Sequence, residues 1–198
     1  MKLSRQLLHK VKNIPIQYKP DAGYTKEIRN IINETLNYEL IRIPSVINGQ
    51  KYYDNLTKEQ ISPININKKV CAYNDTHQTH LVKYLNEFKD YKKSLISFSQ
   101  KDRINVFNKA VDLLCSKYRE QMLAYTILGQ GKSLYEAEID AICELGDFLN
   151  FNVEYYNTIL EKQPISTEGI SNHSLYNPLN GFVASITPFN FTAIGGNL

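Results

Sequence analysis

GFVASITPFNFTAIGGNL, residues 181–198, is the stretch whose reading decides the fold. Gly181–Ile186 is an apolar run with little alternation, the pattern of a strand buried on both faces of a parallel sheet. Pro188 interrupts it, Asn190 suits a tight turn, and Phe191–Leu198 reads as the first turn of a helix. Strand, turn and helix start together form the kind of corner at which α/β sheets hold ligands. A parallel strand needs neighbours in the same sheet. No other candidate strand returns to this one through a helix, so the sheet is expected to be incomplete within these 198 residues.

Upstream lie a second short candidate strand, His173–Tyr176, and a turn-rich connection, EKQPISTEG. Before them runs the longest predicted helix. Ser133-Leu-Tyr-Glu136 is a capping box that opens it, and the pattern carries it to about Ile159. Ala137, Ala141, Phe148, Phe151 and Tyr155 follow one helical line, with Glu144 in its midst. A carboxylate among aromatics is costly to bury unless it is paired or faces a polar cavity; at the edge of the stripe its stem can also carry it to water. Glu138 and Asp140 fall on the solvated face of the same wheel. Gly129 and Gly131 in LGQGK are expected to stop the preceding helix. GQGKS lacks the spacing of a phosphate loop and has no apolar strand before it.

Earlier still, Ser99 with Asp102 caps a helix whose stripe is Ile104, Phe107, Val111, Leu114 and Tyr118. His77–Phe88 and Thr25–Leu40 also read as helices, and KKVCAY as a short strand. Asn48-Gly49, between two β-prone runs, predicts a hairpin with a type I′ turn.

Composition narrows the function classes. With 42% hydrophobic and 22% charged residues the chain is ordinary for a globular protein. A net charge of +3 without a basic-aromatic stripe argues against nucleic acid, and no apolar run is long enough to span a bilayer. Cys71, Cys115 and Cys143 are odd in number and lack CxxC spacing, which suits a reducing compartment and core packing. His77 and His80 lie three apart but have no third ligand, so no metal site is expected. At the N-terminus Lys2, Arg5, Lys10, Lys12 and Lys19 precede the first acid, Asp21, while Leu3, Leu7, Leu8 and Val11 share a face. This pattern is that of a mitochondrial transit peptide, and equally of a short basic surface helix.

GQGKSLYEAEIDAICELGDFLNFNVEYY and GFVASITPFNFTAIGGNL together resemble the delta-1-pyrroline-5-carboxylate dehydrogenase branch of the aldehyde dehydrogenase superfamily. The resemblance is strong from Leu128 and weaker back to about Val46. It implies an α/β fold: N-terminal helices and a hairpin, then the first strand and helix start of a Rossmann-like NAD-binding domain. Residues 1–20 would be the transit peptide, 21–162 the helical part, and 163–198 the truncated start of the NAD-binding domain.

The resemblance also implies site residues. Asn190 would donate its side-chain amide to the aldehyde oxygen while a cysteine thiolate attacks. Thr187 and Phe189 would lie against the nicotinamide end of NAD. Phe191 would wall the aldehyde channel, and Glu144 would flank the substrate pocket, where the amino group of L-glutamate gamma-semialdehyde could meet it. Asn190 could otherwise be a turn residue bonded to its own backbone.

The family's nucleophilic cysteine, general-base glutamate and most of its NAD site are expected beyond Leu198, so this polypeptide alone is expected to be catalytically silent. The other expectations are a truncated paralogue that partners a full-length dehydrogenase subunit, or a pseudogene product. A matrix location follows from the transit reading.

Overall fold

A computed structural model describes residues 25–37, 40–53, 58–74, 81–82, 84–88, 98–177, 179 and 182–196. Residues 1–20, His77 and His80 lie outside these, and with them the transit-peptide and histidine readings.

The locally encoded elements form where their signals stand. Helix α1, Lys26–Asn37, starts where Thr25 Oγ1 accepts the Ile28 amide at 3.1 Å, and it buries Ile28 completely. Strands β1 (Ile41–Ile43), β2 (Ser45–Ile47) and β3 (Gln50–Tyr52) follow. Asn48 and Gly49 take φ of 51° and 76°, the two positive angles a type I′ turn demands, and β2 pairs antiparallel with β3.

The polar stretch before KKVCAY is itself a strand, β4 (Lys58–Ser62), turned at Pro63-Ile64 into a longer β5 (Asn65–Tyr73). Alternating charge and exposure disguise β4: only Ser62 is buried in it. β5 is the middle strand of a three-stranded sheet, antiparallel to β4 and parallel to β1, with Ile41 opposite Cys71.

Helix α2, Gln100–Cys115, carries the full Ser99–Asp102 capping box. Helix α3, Arg119–Gln130, ends at Gly131, whose φ of 69° lets its amide reach the Ile127 carbonyl at 2.9 Å. Gly129 lies inside α3, so Gly131 alone is the stop. A β-carbon on Gly131 would also stand 3.2 Å from the Pro63 ring, which the α3 terminus meets where Ser62 Oγ donates to the Leu128 carbonyl at 2.8 Å.

The long helix departs from its predicted course. Ser133 and Glu136 cap α4, Leu134–Ala137, which then widens into a π-helical segment, Glu138–Glu144, before α5, Leu145–Glu161. A π turn holds more residues than an α turn, so every side chain beyond it is rotated relative to a regular wheel. The buried line therefore passes through Ala137, Ala141, Leu145, Leu149 and Val153, while Phe148 and Tyr155 are exposed.

Glu138, expected on the solvated face, is turned inward instead: it is buried and paired with the buried Arg119. Asp140 is half-buried and paired with Lys132.

Packing unites these elements. α1 and α3 lie together, α1 also touching β5 and α3 touching β4, and α2 lies on α5. The core is built from Ile28, Leu114, Leu123, Ala124, Ile127, Ile142, Leu145, Leu149 and, from the far end of the chain, Ile194.

The C-terminal strands expected at His173–Tyr176 and Gly181–Ile186 do not form among the described residues. The described part of this stretch has no sheet partner there, and Ile186 is 98% exposed. The predicted helix start is present as a single 3-10 turn, Ile194–Gly196. No helix among the described residues is long and apolar enough to cross a membrane.

Candidate functional site

The Thr187–Phe191 turn is held against the helical layer from three directions. Gly195 lies so close beneath it that a β-carbon there would fall 2.7 Å from Pro188 Cδ and 3.4 Å from Thr187 Cβ. Ser185 Oγ donates to the Gly195 carbonyl at 3.0 Å, closing the segment on itself. Thr126 Oγ1 gives its proton to the Met122 carbonyl at 2.7 Å, so the 2.7 Å contact between Thr126 and Thr192 has the Thr192 hydroxyl as donor. Ile194 then enters the core.

The third hold comes from the junction between α3 and α4. Lys132 Nζ donates to the Asn190 carbonyl at 2.6 Å, lies 4.9 Å from the centroid of the Phe191 ring, and is ion-paired with Asp140. Gln130 reaches the Phe189 carbonyl at 3.5 Å, with its own Oε1 buried and unpartnered among the described residues. Sequence reasoning missed Lys132 and Asp140. The partners of Lys132 in the turn stand 58 residues away, and no periodicity reports such a contact.

With its backbone held, Asn190 is exposed, and its carboxamide has no hydrogen-bond partner among the described residues. The self-bonded turn geometry considered for Asn190 is therefore absent. Thr187 is likewise exposed with an unengaged hydroxyl, and Phe189 is 96% exposed. Phe191 is half-buried and packs against the core. Asn190, Phe191 and Phe189 are thus brought together through Lys132 and Gln130, and Thr187 joins them through Gly195.

Glu144, at the end of the π segment, is half-buried; no hydrogen bond or ion pair joins it to this turn among the described residues. A groove of about 580 Å³ between α2 and α5 reaches Gly196 and is lined by neither Asn190 nor Glu144.

The thiols are of the structural kind. Cys71 and Cys143 are buried, Cys115 is half-buried, and none forms a disulfide. Burial pushes all three above the ordinary thiol value, Cys143 to about 11, helped by the nearby Glu138 and Asp147 carboxylates. A nucleophilic cysteine needs the opposite shift. Among the described residues no group of His, Cys, Asp and Glu could hold a metal ion.

Comparison with known proteins agrees with this arrangement. The delta-1-pyrroline-5-carboxylate dehydrogenase of Agaricus bisporus is 35% identical over 190 residues, covering 95% of this chain and 35% of its own length. The mitochondrial delta-1-pyrroline-5-carboxylate dehydrogenase of Mus musculus is 36% identical over 189 residues, covering 96% and 34%. The chain thus spans about a third of the length of the curated relatives it matches.

Among solved structures, the delta-pyrroline-5-carboxylate dehydrogenase of Mycobacterium tuberculosis bound with NAD superimposes with a TM-score of 0.84 at 36% identity, over 93% of this chain and 34% of that one. The expected α/β architecture, a partial aldehyde dehydrogenase fold, is confirmed by that superposition. Residues 52–195 match the aldehyde dehydrogenase family. Since this match begins in β3 and ends in the 3-10 turn, taking in the Pro-Phe-Asn turn and the helices that clamp it, the chain belongs to the aldehyde dehydrogenase family.

Proposed function

We propose that this chain forms part of an NAD-dependent dehydrogenase that oxidises L-glutamate gamma-semialdehyde, the open form of delta-1-pyrroline-5-carboxylate, to L-glutamate. The observation that carries the reading is the free, exposed carboxamide of Asn190 on a turn whose backbone is held from below and behind.

When a thiolate adds to an aldehyde carbon, negative charge collects on the carbonyl oxygen. A fixed N–H dipole aimed at that oxygen stabilises the charged state more than the neutral one, which is the condition for faster chemistry. Asn190 has this capacity because its amide is not spent on its own backbone. The attacking thiolate is not supplied by Cys71, Cys115 or Cys143, whose burial favours the protonated form.

NAD, when bound, supplies the hydride acceptor. The surface at Thr187–Phe189 suits its nicotinamide end: an uncharged, outward aromatic face at Phe189 for a flat ring, and an unengaged Thr187 hydroxyl for a ribose oxygen. Phe191 is read as the wall of the aldehyde channel. Glu144, half-buried on the helical layer, is read as the carboxylate that answers the substrate's amino group.

A mitochondrial location accords with the basic, acid-free first twenty residues and with the location in the name of the mouse relative. Subcellular fractionation checks it, and recovery outside mitochondria rejects it.

The decisive experiment replaces Asn190 by Ala in the protein purified from its native source. Loss of one oxyanion donor lowers kcat about a hundredfold or more, with KM for the aldehyde little changed. An unchanged kcat rejects the assignment.

A further inference from the structure

Lys132 stands on an unusually well-fixed part of the backbone. Gly131 before it closes α3 through its left-handed conformation, and Ser133 after it opens α4 through a reciprocal capping box. Its flexible stem would otherwise leave the ammonium free to wander, but Asp140, projecting from the π segment, holds it by an ion pair. Both side chains of that pair are about four-fifths buried, at 19% exposure each. In such surroundings a charge-assisted hydrogen bond is stronger and more directional than at an open surface.

The ammonium so fixed donates to the carbonyl of Asn190 and lies over the ring of Phe191. One cation therefore sets the orientation of the Asn190–Phe191 peptide and the position of the neighbouring aromatic side chain. The carboxamide of Asn190 itself has no partner among the described residues, so its direction follows from the backbone that carries it.

We propose that Lys132, held by Asp140, is a positioning residue for the oxyanion donor: it aims the Asn190 amide by gripping the Asn190 carbonyl, and seats the Phe191 ring in the same act. The proposal rests on the reading of Asn190 given above. Its physical content is that a displacement of the donor by about 1 Å is enough to lose most of its effect, roughly a hundredfold in rate.

The test is a double-mutant cycle in the protein purified from its native source. Lys132→Met lowers kcat for aldehyde oxidation by roughly ten- to a hundredfold with KM within about twofold, and Lys132→Arg, which keeps the cation and the donor, recovers much of the loss. Placed in an Asn190→Ala background, Lys132→Met has no further effect, because the group it aims is gone. If the two losses multiply, Lys132 acts by another route and the proposal is overturned while the Asn190 assignment stands. If Asn190→Ala alone leaves kcat unchanged, the assignment fails and the proposal falls with it.

A measurement independent of activity uses the 198-residue chain. Chymotryptic cleavage after the exposed Phe189 is expected to speed up about tenfold in Lys132→Met and not in Lys132→Arg. Equal cleavage rates in all three proteins would overturn the clamp.

Discussion

Glu138→Gln asks whether the buried ion pair is as consequential as its position implies. The substitution preserves shape and one acceptor oxygen while removing the charge, so Arg119 is left buried beside a neutral amide. The two side chains are 4% and 11% exposed. Breaking a buried pair from one side costs about 3–5 kcal/mol, most of it the uncompensated charge. Glu120 Oε1 lies 3.6 Å from Arg119 Nη1 and is 31% exposed, so part of the charge remains answered and the lower end applies, about 3 kcal/mol.

With a urea m-value of about 2 kcal/mol/M, the unfolding midpoint falls by roughly 1.5 M, followed by far-ultraviolet circular dichroism. The matched control is Glu59→Gln. Its partner Lys69 is 2.8 Å away, but the two side chains are 42% and 55% exposed, and the expected change is under about 1 kcal/mol. Replacing both buried partners, Arg119→Met with Glu138→Leu, should restore most of the loss, since the pair itself is not a large net stabiliser. Equal midpoint shifts for Glu138→Gln and Glu59→Gln would refute the reasoning.

Two further outcomes follow from the geometry. Gly195→Ala sets a β-carbon against a proline ring that cannot swing aside, and about 1–3 kcal/mol of stability should be lost in the same urea assay. Cys143, with its thiol raised from 9.0 to about 11, should alkylate about a hundredfold more slowly in the native chain than in urea. Because the unfolded chain releases that proton first, native stability is unaffected below pH 9 and declines as pH rises from 9 toward 11, which unfolding titrations across that range would register.

The features legible in the sequence were those whose cause is local. Asn48-Gly49, Ser99 with Asp102, and Ser133 with Glu136 each specify their geometry within four residues, and each is found in place. Gly131 likewise needed only its own left-handed angle.

The errors have long-range causes. β4 is mostly exposed and charged, and is a strand because β5 lies beside it. Glu138 looked solvated because a regular wheel was assumed, and neither the π segment nor Arg119, nineteen residues earlier, announces itself by spacing. Gly181–Ile186 has the composition of a buried strand, but a strand exists only with a partner, and none lies beside its described residues. At the candidate site the motif pointed to Asn190, while the groups that hold it, Lys132, Asp140, Thr126 and Gly195, became visible only through the fold.

The widened turn at Glu138–Glu144 has a bearing on how this helix can vary by descent. Deleting a single residue there would let the segment relax into an ordinary helix, but would swing everything after it by about 100° about the axis. Leu145, Leu149 and Val153 would then leave the core together. Point substitutions can be absorbed one at a time, whereas a one-codon loss in this stretch would fail all at once, so the surplus residue should behave as a fixed length in any lineage that keeps the fold.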